Sequence, residues 1–177
     1  MMKSIDWVVD SAHAHVGFSV RHLGLTSTPG IFKRFSAHLK FDDQRIEASS
    51  VSFEIDVASI DTALELRDEH LRGPDWFNAQ VHPRAIFVSR EVRRGEHANY
   101  VIEGDLTLRG VTLPVAFDAA LTGRAVNPWT EAPVVGFNAV ATISRGAYGM
   151  GAFPGALSDD VRLKVEVELT SQNDAHQ

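Results

Sequence analysis

The chain has no cysteine, no long apolar run and no cluster of basic residues, and each absence excludes a class of protein. Without cysteine in its 177 residues, it can form no disulfide, no thiolate metal site and no cysteine nucleophile. No stretch reaches the roughly 18 consecutive apolar residues that a membrane-spanning helix needs. A net charge of −6 with scattered basic residues argues against nucleic acid, which is bound by a clustered cationic face.

Signals for export are also missing. The first residues run directly into a strand pattern, with neither an apolar signal core nor a small-residue cleavage site. We therefore expect a cytoplasmic location. The length and the 44% hydrophobic content fit one globular domain over residues 1–170, followed by a polar tail, residues 171–177, that we expect to be disordered.

What the sequence does contain is an alternation of apolar and polar residues, which is the pattern of half-buried β-strands. Residues 51–57 show it most clearly, since every second residue is apolar. About eight such segments follow one another with short turns, and no strand–helix–strand rhythm indicates a parallel sheet. We predict an all-β fold, an eight-stranded antiparallel β-barrel, because closing such a sheet pairs both of its edges.

One segment, residues 61–77, breaks the alternation and predicts a single inserted α-helix. Thr62 followed by Glu65 is a capping-box pattern, in which each side chain satisfies a backbone N–H of the first turn. Gly73 before Pro74 is typical of a helix end with a left-handed glycine.

Two charged residues of that helix fall on its apolar stripe. Leu64 and Leu71 are seven residues apart, and Arg67 and Asp68 lie between them on the same side. We expect both charges to be partnered and partly buried, either to fix the helix or also to contact a ligand.

The predicted inward-facing residues mix phenylalanine with glycine and alanine. Such a mixture fits a solid, tapering core, and it also fits an apolar channel that holds one small ligand. The sequence leaves these two interiors open. His22 ends the apolar face of the first long strand, so we expect it at a mouth of any channel.

Few side chains offer catalytic or metal chemistry. His13 and His15 stand two residues apart on the polar face of a strand, where solvated histidines fit better than a metal site. No nucleophile elbow, phosphate-binding loop or zinc-protease motif occurs. We predict no metal, no cofactor and no catalytic residue.

The glycine-rich residues 146–155 carry three larger side chains, Tyr148, Met150 and Phe153. They predict either a mobile flap that closes over apolar cargo or a loop with a small core of its own.

Five sequence blocks carry a family resemblance. They are His13 with residues 16–24, residues 59–62 with residues 67–71 and Phe77, Phe87 with Ser89, residues 104–112, and Arg145 with Tyr148 and Gly149. In this order, from Trp7 to about Leu169, the chain resembles the YceI-like, polyisoprenoid-binding family. The resemblance implies a lipocalin-like eight-stranded barrel with a helix beside it. It also implies a hydrophobic pore for a long isoprenoid or other lipid-like chain, and a homodimer.

The residues and the resemblance together predict a protein that binds, sequesters or transports a long-chain amphiphile without catalysis. Apolar walls can hold such a chain, since each buried methylene contributes roughly 0.8 kcal/mol. His22, Arg67 and Tyr148 are the candidates for a head group at the mouth. The predicted ligand-binding residues are Phe18, Val20, His22, Phe35, Leu39, Phe53, Ile55, Arg67, Phe87, Phe117, Phe137 and Tyr148.

Two alternatives remain open from the sequence. In the first, the chain is an enzyme that acts on an isoprenoid or lipid-like substrate through His22, Asp68 and His70. In the second, it is a protein-interaction module with a filled barrel, and its charged rim binds another protein.

Overall fold

A computed structural model of the protein describes residues 5–42 and 44–171. Its strands are β1 (Ile5–His22), β2 (Thr26–Phe32), β3 (Phe35–Phe41), β4 (Ser50–Asp56), β5 (Ile60–Asp61), β6 (Arg84–Arg94), β7 (Tyr100–Leu108), β8 (Val111–Val126), β9 (Pro133–Ser144) and β10 (Leu157–Ser171). The described helices are α1 (Glu65–Arg72) and the short 3-10 helices Ile46–Ala48, Val57–Ser59, Glu96–Ala98 and Gly146–Tyr148. None of them combines the length and the apolar character that crossing a bilayer requires. The tail expected to be disordered lies outside the described residues, except for Ser171, which ends β10.

Eight of the strands form one closed antiparallel barrel. Around the ring they are β1, β3, β4, β6, β7, β8, β9 and β10, and β10 pairs back with β1. Apart from the short β2 and β5, each strand lies beside the one that precedes it in the chain. The predicted eight-stranded antiparallel barrel with one α-helix is confirmed. Closure pairs the first and last strands with each other, which removes the edges that an open sheet exposes.

On the side opposite β10, β1 pairs with two different strands, one along its first residues and one along its last. We call the end of the barrel where β1 finishes at His22 the upper end. The lower part of β1, residues 5–8, pairs with β3, and the upper part, residues 17–22, pairs with β2. Two residues of β5 then extend β2. Among the described strands, residues 14–16 of β1 pair with β10 alone.

A bulge in β1 brings one histidine against acidic groups, at a point where the register with β10 shifts. The Asp10 carboxylate accepts from the Ala12 N–H at 2.9 Å and lies 2.9 Å from His13 Nδ1. This hydrogen bond lowers the pKa of Asp10 and raises the pKa of His13. A carboxylate oxygen of Glu168 is close to both groups, so that the potential metal-ligating atoms of Asp10, His13 and Glu168 all lie within 4.8 Å of one another. The bulge thus groups His13 with two carboxylates and not with His15.

The α-helix begins after the predicted capping box. α1 starts at Glu65 with Leu64 as the N-cap residue, and no side chain caps it. The Thr62 hydroxyl donates to Asp68 Oδ1 at 2.6 Å. Glu65 pairs instead with Arg72 at 3.0 Å. The predicted capping box is therefore wrong, because the buried Asp68 carboxylate accepts from both the hydroxyl and the N–H of Thr62.

The helix ends at the predicted glycine but in a different conformation. Gly73 has φ −71° and ψ 174°, an extended backbone and not the predicted left-handed one. Its N–H donates to His70 O at 3.0 Å. Leu64, expected on the buried stripe, is 50% exposed, whereas Arg67 is half-buried and Asp68 is buried. The expectation that these two charges are partly buried is confirmed, and the expectation for Leu64 is wrong.

Aromatic side chains occupy much of the lower end of the barrel. The Phe41 ring packs edge-on against Tyr100 and Phe137, with ring centroids 5.8 and 5.3 Å apart. Trp7 and Leu169 are buried in the same cluster. These contacts fix the lower end, and the larger space of the interior lies above them.

Gly104 tests how tightly the middle of the barrel is packed. A Cβ atom at this position would collide with the carbonyl oxygen of Val88 and come within 2.6 Å of Phe87 Cζ. We expect Gly104→Ala to lower the free energy of unfolding by about 1–3 kcal/mol, the usual cost of overpacking. Gly123→Ala is the control, because a Cβ atom there meets no other atom within 4 Å. Urea denaturation of both variants measures the difference, and equal stabilities would contradict the prediction.

Candidate functional site

The upper end of the barrel opens into an apolar cavity of about 430 Å³, which we call the main cavity. The inner faces of β1, β2, β4, β6, β7, β9 and β10 form its wall. The α1 region and the loop between β9 and β10 form its border. Its polar lining residues are His22, Thr28, Thr62, Arg67, His70 and Arg145.

Two smaller apolar cavities continue from the main cavity toward the lower end. The central cavity, about 120 Å³, shares Ile55 and Leu163 with the main cavity. The lower cavity, about 90 Å³, shares Phe53 with the central one. The rings of Phe87 and Phe117, 5.1 Å apart, line the central cavity. The three apolar spaces are stacked along the barrel between packed side chains, and we call them the column of cavities.

Thr62 holds the Arg67 guanidinium at the border of the main cavity. Thr62 Oγ1 accepts from Arg67 Nε at 2.7 Å, and the carbonyl oxygen of Thr62 accepts from Arg67 Nη2 at 2.6 Å. The same hydroxyl donates to Asp68. Within residues 5–42 and 44–171, Arg67 Nη1 donates to no protein acceptor. The guanidinium is thus fixed in place with one nitrogen available to a polar or anionic group.

His22 and His70 both border the main cavity, but neither is joined to Asp68. His70 packs edge-on against Trp76 and Phe153, with ring centroids 6.0 and 6.4 Å apart. The Asp68 carboxylate accepts both of its described hydrogen bonds from one threonine. In the described part of the chain, no hydrogen bond links the three residues that the enzyme alternative requires.

Arg145 organises the loop between β9 and β10. Its side chain is buried and lies 5.6 Å from the centre of the Trp76 ring. The guanidinium donates to four backbone carbonyl oxygens, those of Met150, Ala152, Leu157 and Ser158. These bonds fold the glycine-rich segment onto the barrel, with Met150 buried against the core. Tyr148 and Met150 of this segment belong to the main core of the barrel and form no separate core, and Phe153 is 55% exposed.

Tyr148 lies beneath that loop and not at the mouth. It is 2% exposed, and its hydroxyl donates to the carbonyl oxygen of Leu106 at 3.4 Å. Burial raises the pKa of Tyr148. Phe35 is likewise outside the three cavities, since its ring stacks on Phe53 with centroids 5.6 Å apart.

The other ten predicted ligand-binding residues line the column of cavities, and their contact with a ligand stays a prediction. Those of the main cavity are Phe18, Val20, His22, Ile55 and Arg67. Those of the two deeper cavities are Phe53, Phe87 and Phe117 in the central one and Leu39, Phe53 and Phe137 in the lower one.

Several residues of the main cavity escaped the sequence analysis. Trp76 and Phe77 follow α1 in an irregular segment, where no periodicity indicates which side chain points inward. Phe32 lies in β2, whose threonines, proline and glycine are typical of a turn. Gly30 is needed in that strand because a Cβ atom there would collide with the Phe18 ring.

Comparison with known proteins places this barrel in a family. The profile of the YceI-like domain matches residues 7–169. The chain belongs to the YceI-like family. This YceI-like chain is 38% identical over 160 residues to a UPF0312 protein of Photorhabdus laumondii, an alignment that covers 90% of the chain and 82% of that relative. The family resemblance predicted from the sequence is confirmed.

Solved structures of similar proteins share the barrel. The crystal structure of BcnA from Burkholderia cenocepacia has a TM-score of 0.83 and 28% identity, over 90% of this chain and 98% of that one. A polyisoprenoid binding domain from Saccharophagus degradans has a TM-score of 0.66 over 96% of this chain and 99% of that domain. At 13% identity, this second likeness shows the fold alone.

Replacing Thr62 by valine tests the anchor of Arg67. The change keeps the shape of the side chain but removes a donor to the buried Asp68 and the acceptor of Arg67 Nε. We expect the free energy of unfolding to fall by about 1–3 kcal/mol, because buried polar groups lose their partner. Urea denaturation measures it. The control is Thr28→Val, at a residue that borders the same cavity without a described side-chain hydrogen bond, and an equal loss in both variants would contradict the prediction.

The buried hydroxyl of Tyr148 predicts a loss of stability at alkaline pH. Burial raises the pKa of Tyr148 in the folded protein above its ordinary value of 10.0, so the unfolded chain releases this proton first. The contribution is complete below about pH 10 and is lost as the pH rises further. The urea midpoint of unfolding should fall between about pH 8 and about pH 11 in the unmodified protein, and we expect a smaller fall in Tyr148→Phe. Equal falls in the two proteins would refute this assignment.

Proposed function

We propose that this YceI-like protein binds a long-chain amphiphile, a polyisoprenoid or another lipid, and holds its apolar chain in the column of cavities without catalysing a reaction. The observation that carries the proposal is the main cavity of about 430 Å³, with apolar walls and polar groups at its border. Its volume and lining are those of small-molecule binding sites. The fold shared with a domain described as polyisoprenoid-binding supports the same conclusion.

Affinity in such a site depends on the length of the apolar chain. Each methylene that moves from water into the cavity contributes roughly 0.8 kcal/mol, or about a fourfold gain in affinity. The main, central and lower cavities share walls made of side chains, among them Leu163 and Phe53. Rotamer changes of these residues join the spaces, so a chain longer than the main cavity extends toward the lower end.

The head group rests at the upper border in this proposal. Arg67 is held there by Thr62 and keeps Nη1 for an oxyanion or hydroxyl oxygen, and His22 borders the same opening. A guanidinium suits a phosphate or carboxylate because its donors match the geometry of these groups. Tyr148, buried under its loop, takes no part in this contact.

Binding fits the arrangement of the polar groups better than turnover does. The Arg145 guanidinium donates its hydrogen bonds to backbone carbonyl oxygens, and the Asp68 carboxylate accepts its hydrogen bonds from Thr62. Both groups therefore serve to hold the border of the cavity. A single domain, a cytoplasmic location and a homodimer stay predictions from the sequence.

Native mass spectrometry of protein purified without added lipid, followed by displacement of fluorescent acyl or prenyl probes, tests the proposal. We expect a co-purifying hydrophobic mass and an affinity that rises about fourfold per methylene until the column is full. Leu163→Trp, in the wall between the main and central cavities, should weaken long probes at least about tenfold because it fills the space that they need.

The matched control is Val88→Trp, which adds the same ring at a residue that is 50% exposed on β6. It should bind every probe as the unmodified protein does. Apo protein after purification, together with no displacement of any probe, would overturn the proposed function.

A further inference from the structure

Five large apolar side chains surround the open upper end and remain exposed to water. They are Leu23 (55% exposed), Leu25 (76%), Leu64 (50%), Leu66 (77%) and Phe153 (55%), and we call them the apolar rim. Exposed apolar residues grouped on one surface mark an interaction site. We propose that the apolar rim docks on the surface of a lipid bilayer, where the protein loads or delivers its amphiphile. This inference rests on the proposed function, since it names the partner of the same cavity.

Two loops that hydrogen-bond to each other build one half of the rim. The Leu23 N–H donates to Ala156 O at 2.8 Å, and the Ala156 N–H donates to Phe153 O at 3.2 Å. Phe153 stacks on Trp76 with centroids 6.2 Å apart, and both side chains line the main cavity. Leu25 belongs to the same turn as Leu23. Phe153 therefore lies at the opening, and Leu23 and Leu25 lie in the turn that is hydrogen-bonded to its loop and to His22.

The start of α1 builds the other half. Leu66 lies one helical turn before His70, so the two share a side of the helix. His70 borders the cavity and contacts the rim phenylalanine, with ring centroids 6.4 Å apart. Leu64 is the N-cap residue of the same helix. Thr62, just before α1, also lies close to β2, because its Cγ2 would be 3.0 Å from a Cβ atom on Gly30. The segment before α1 is therefore adjacent to the strand that follows the turn with Leu23 and Leu25.

Three ion pairs neutralise charges on the segments next to the rim, and the Arg21 guanidinium donates to the Gly24 carbonyl oxygen. The ion pairs are Glu65–Arg72, Lys33–Asp61 and Arg34–Asp56, with N–O distances of 3.0, 3.1 and 2.8 Å. The chain as a whole carries a net charge of −6, which repels an anionic surface. Apolar contact and not electrostatic attraction therefore drives the docking, and a zwitterionic bilayer suffices.

A bilayer fits this surface because it supplies a path for the cargo. A long apolar chain that moves from a membrane to the cavity through water exposes its apolar surface to water during the transfer, which is unfavourable. The same surface is buried in the membrane before the transfer and in the cavity after it. With the rim leucines among the acyl chains, the main cavity faces the apolar layer, and the chain passes without that exposure. A protein partner would cover the rim without providing this path.

Flotation with phosphatidylcholine vesicles tests the docking. The full chain is compared with Leu25→Ser/Leu66→Ser. The control is Val126→Ser/Trp129→Ser, at the end of β8 and in the loop that follows it at the lower end, where these residues are 63% and 88% exposed. We expect the rim variant to bind at least about tenfold more weakly and the control to bind normally. Raising the salt concentration to about 0.5 M should leave binding unchanged. Absence of vesicle binding, equal binding by the rim variant, or loss of binding in salt would overturn the proposal.

Uptake of a fluorescent prenyl probe separates docking from cargo binding. The rim variant should take up probe from detergent micelles normally but from phosphatidylcholine vesicles at least about tenfold more slowly. If probe from micelles enters none of the proteins, the proposed function fails, and flotation still decides the docking. Equal thermal unfolding midpoints establish that the variants are folded. Sedimentation velocity tests whether the rim instead joins two copies of the chain. If the unmodified protein sediments as a dimer and does not bind vesicles, while the rim variant sediments as a monomer, the proposal is overturned.

Discussion

The pairing of β10 with β1 is the interaction on which the rest of the structure depends. It joins the two ends of the chain along most of the length of both strands and turns an amphipathic meander into a tube with an inside. The apolar faces of the strands are buried only because the sheet closes, since no second layer of helices covers them in the described structure. A closed wall of eight strands leaves room for side chains and one small ligand, which is the space that the cavities occupy.

Much of the fold could be predicted because its strands are half-buried. In β4 and β10, the alternation of apolar and polar residues records which face looks inward. The start of α1 could not be predicted from local rules. The sequence shows a threonine and a glutamate at capping distance, but it does not show that Asp68 is buried close enough to take the threonine hydroxyl. Tertiary contacts therefore override the local pattern.

The candidate site was predictable where strands carry it and not where loops do. Phe18 and Ile55 face the main cavity because their strands alternate. Tyr148 and Trp76 lie in segments whose course is set by hydrogen bonds from Arg145 and by ring stacking, so neither position follows from a repeat. Sequence reasoning placed Tyr148 at the mouth, whereas the buried arginine draws its loop over it.

Between the part paired with β3 and the part paired with β2, β1 is held on one side only. The girth of a barrel is set by the number and stagger of its strands, and complete ladders keep that girth constant. In the described structure, backbone ladders fix this stretch of β1 on the β10 side alone. The girth of the barrel at this level therefore depends on side-chain packing, such as that of Val16 against Phe32 and Ile60, and not on a second ladder.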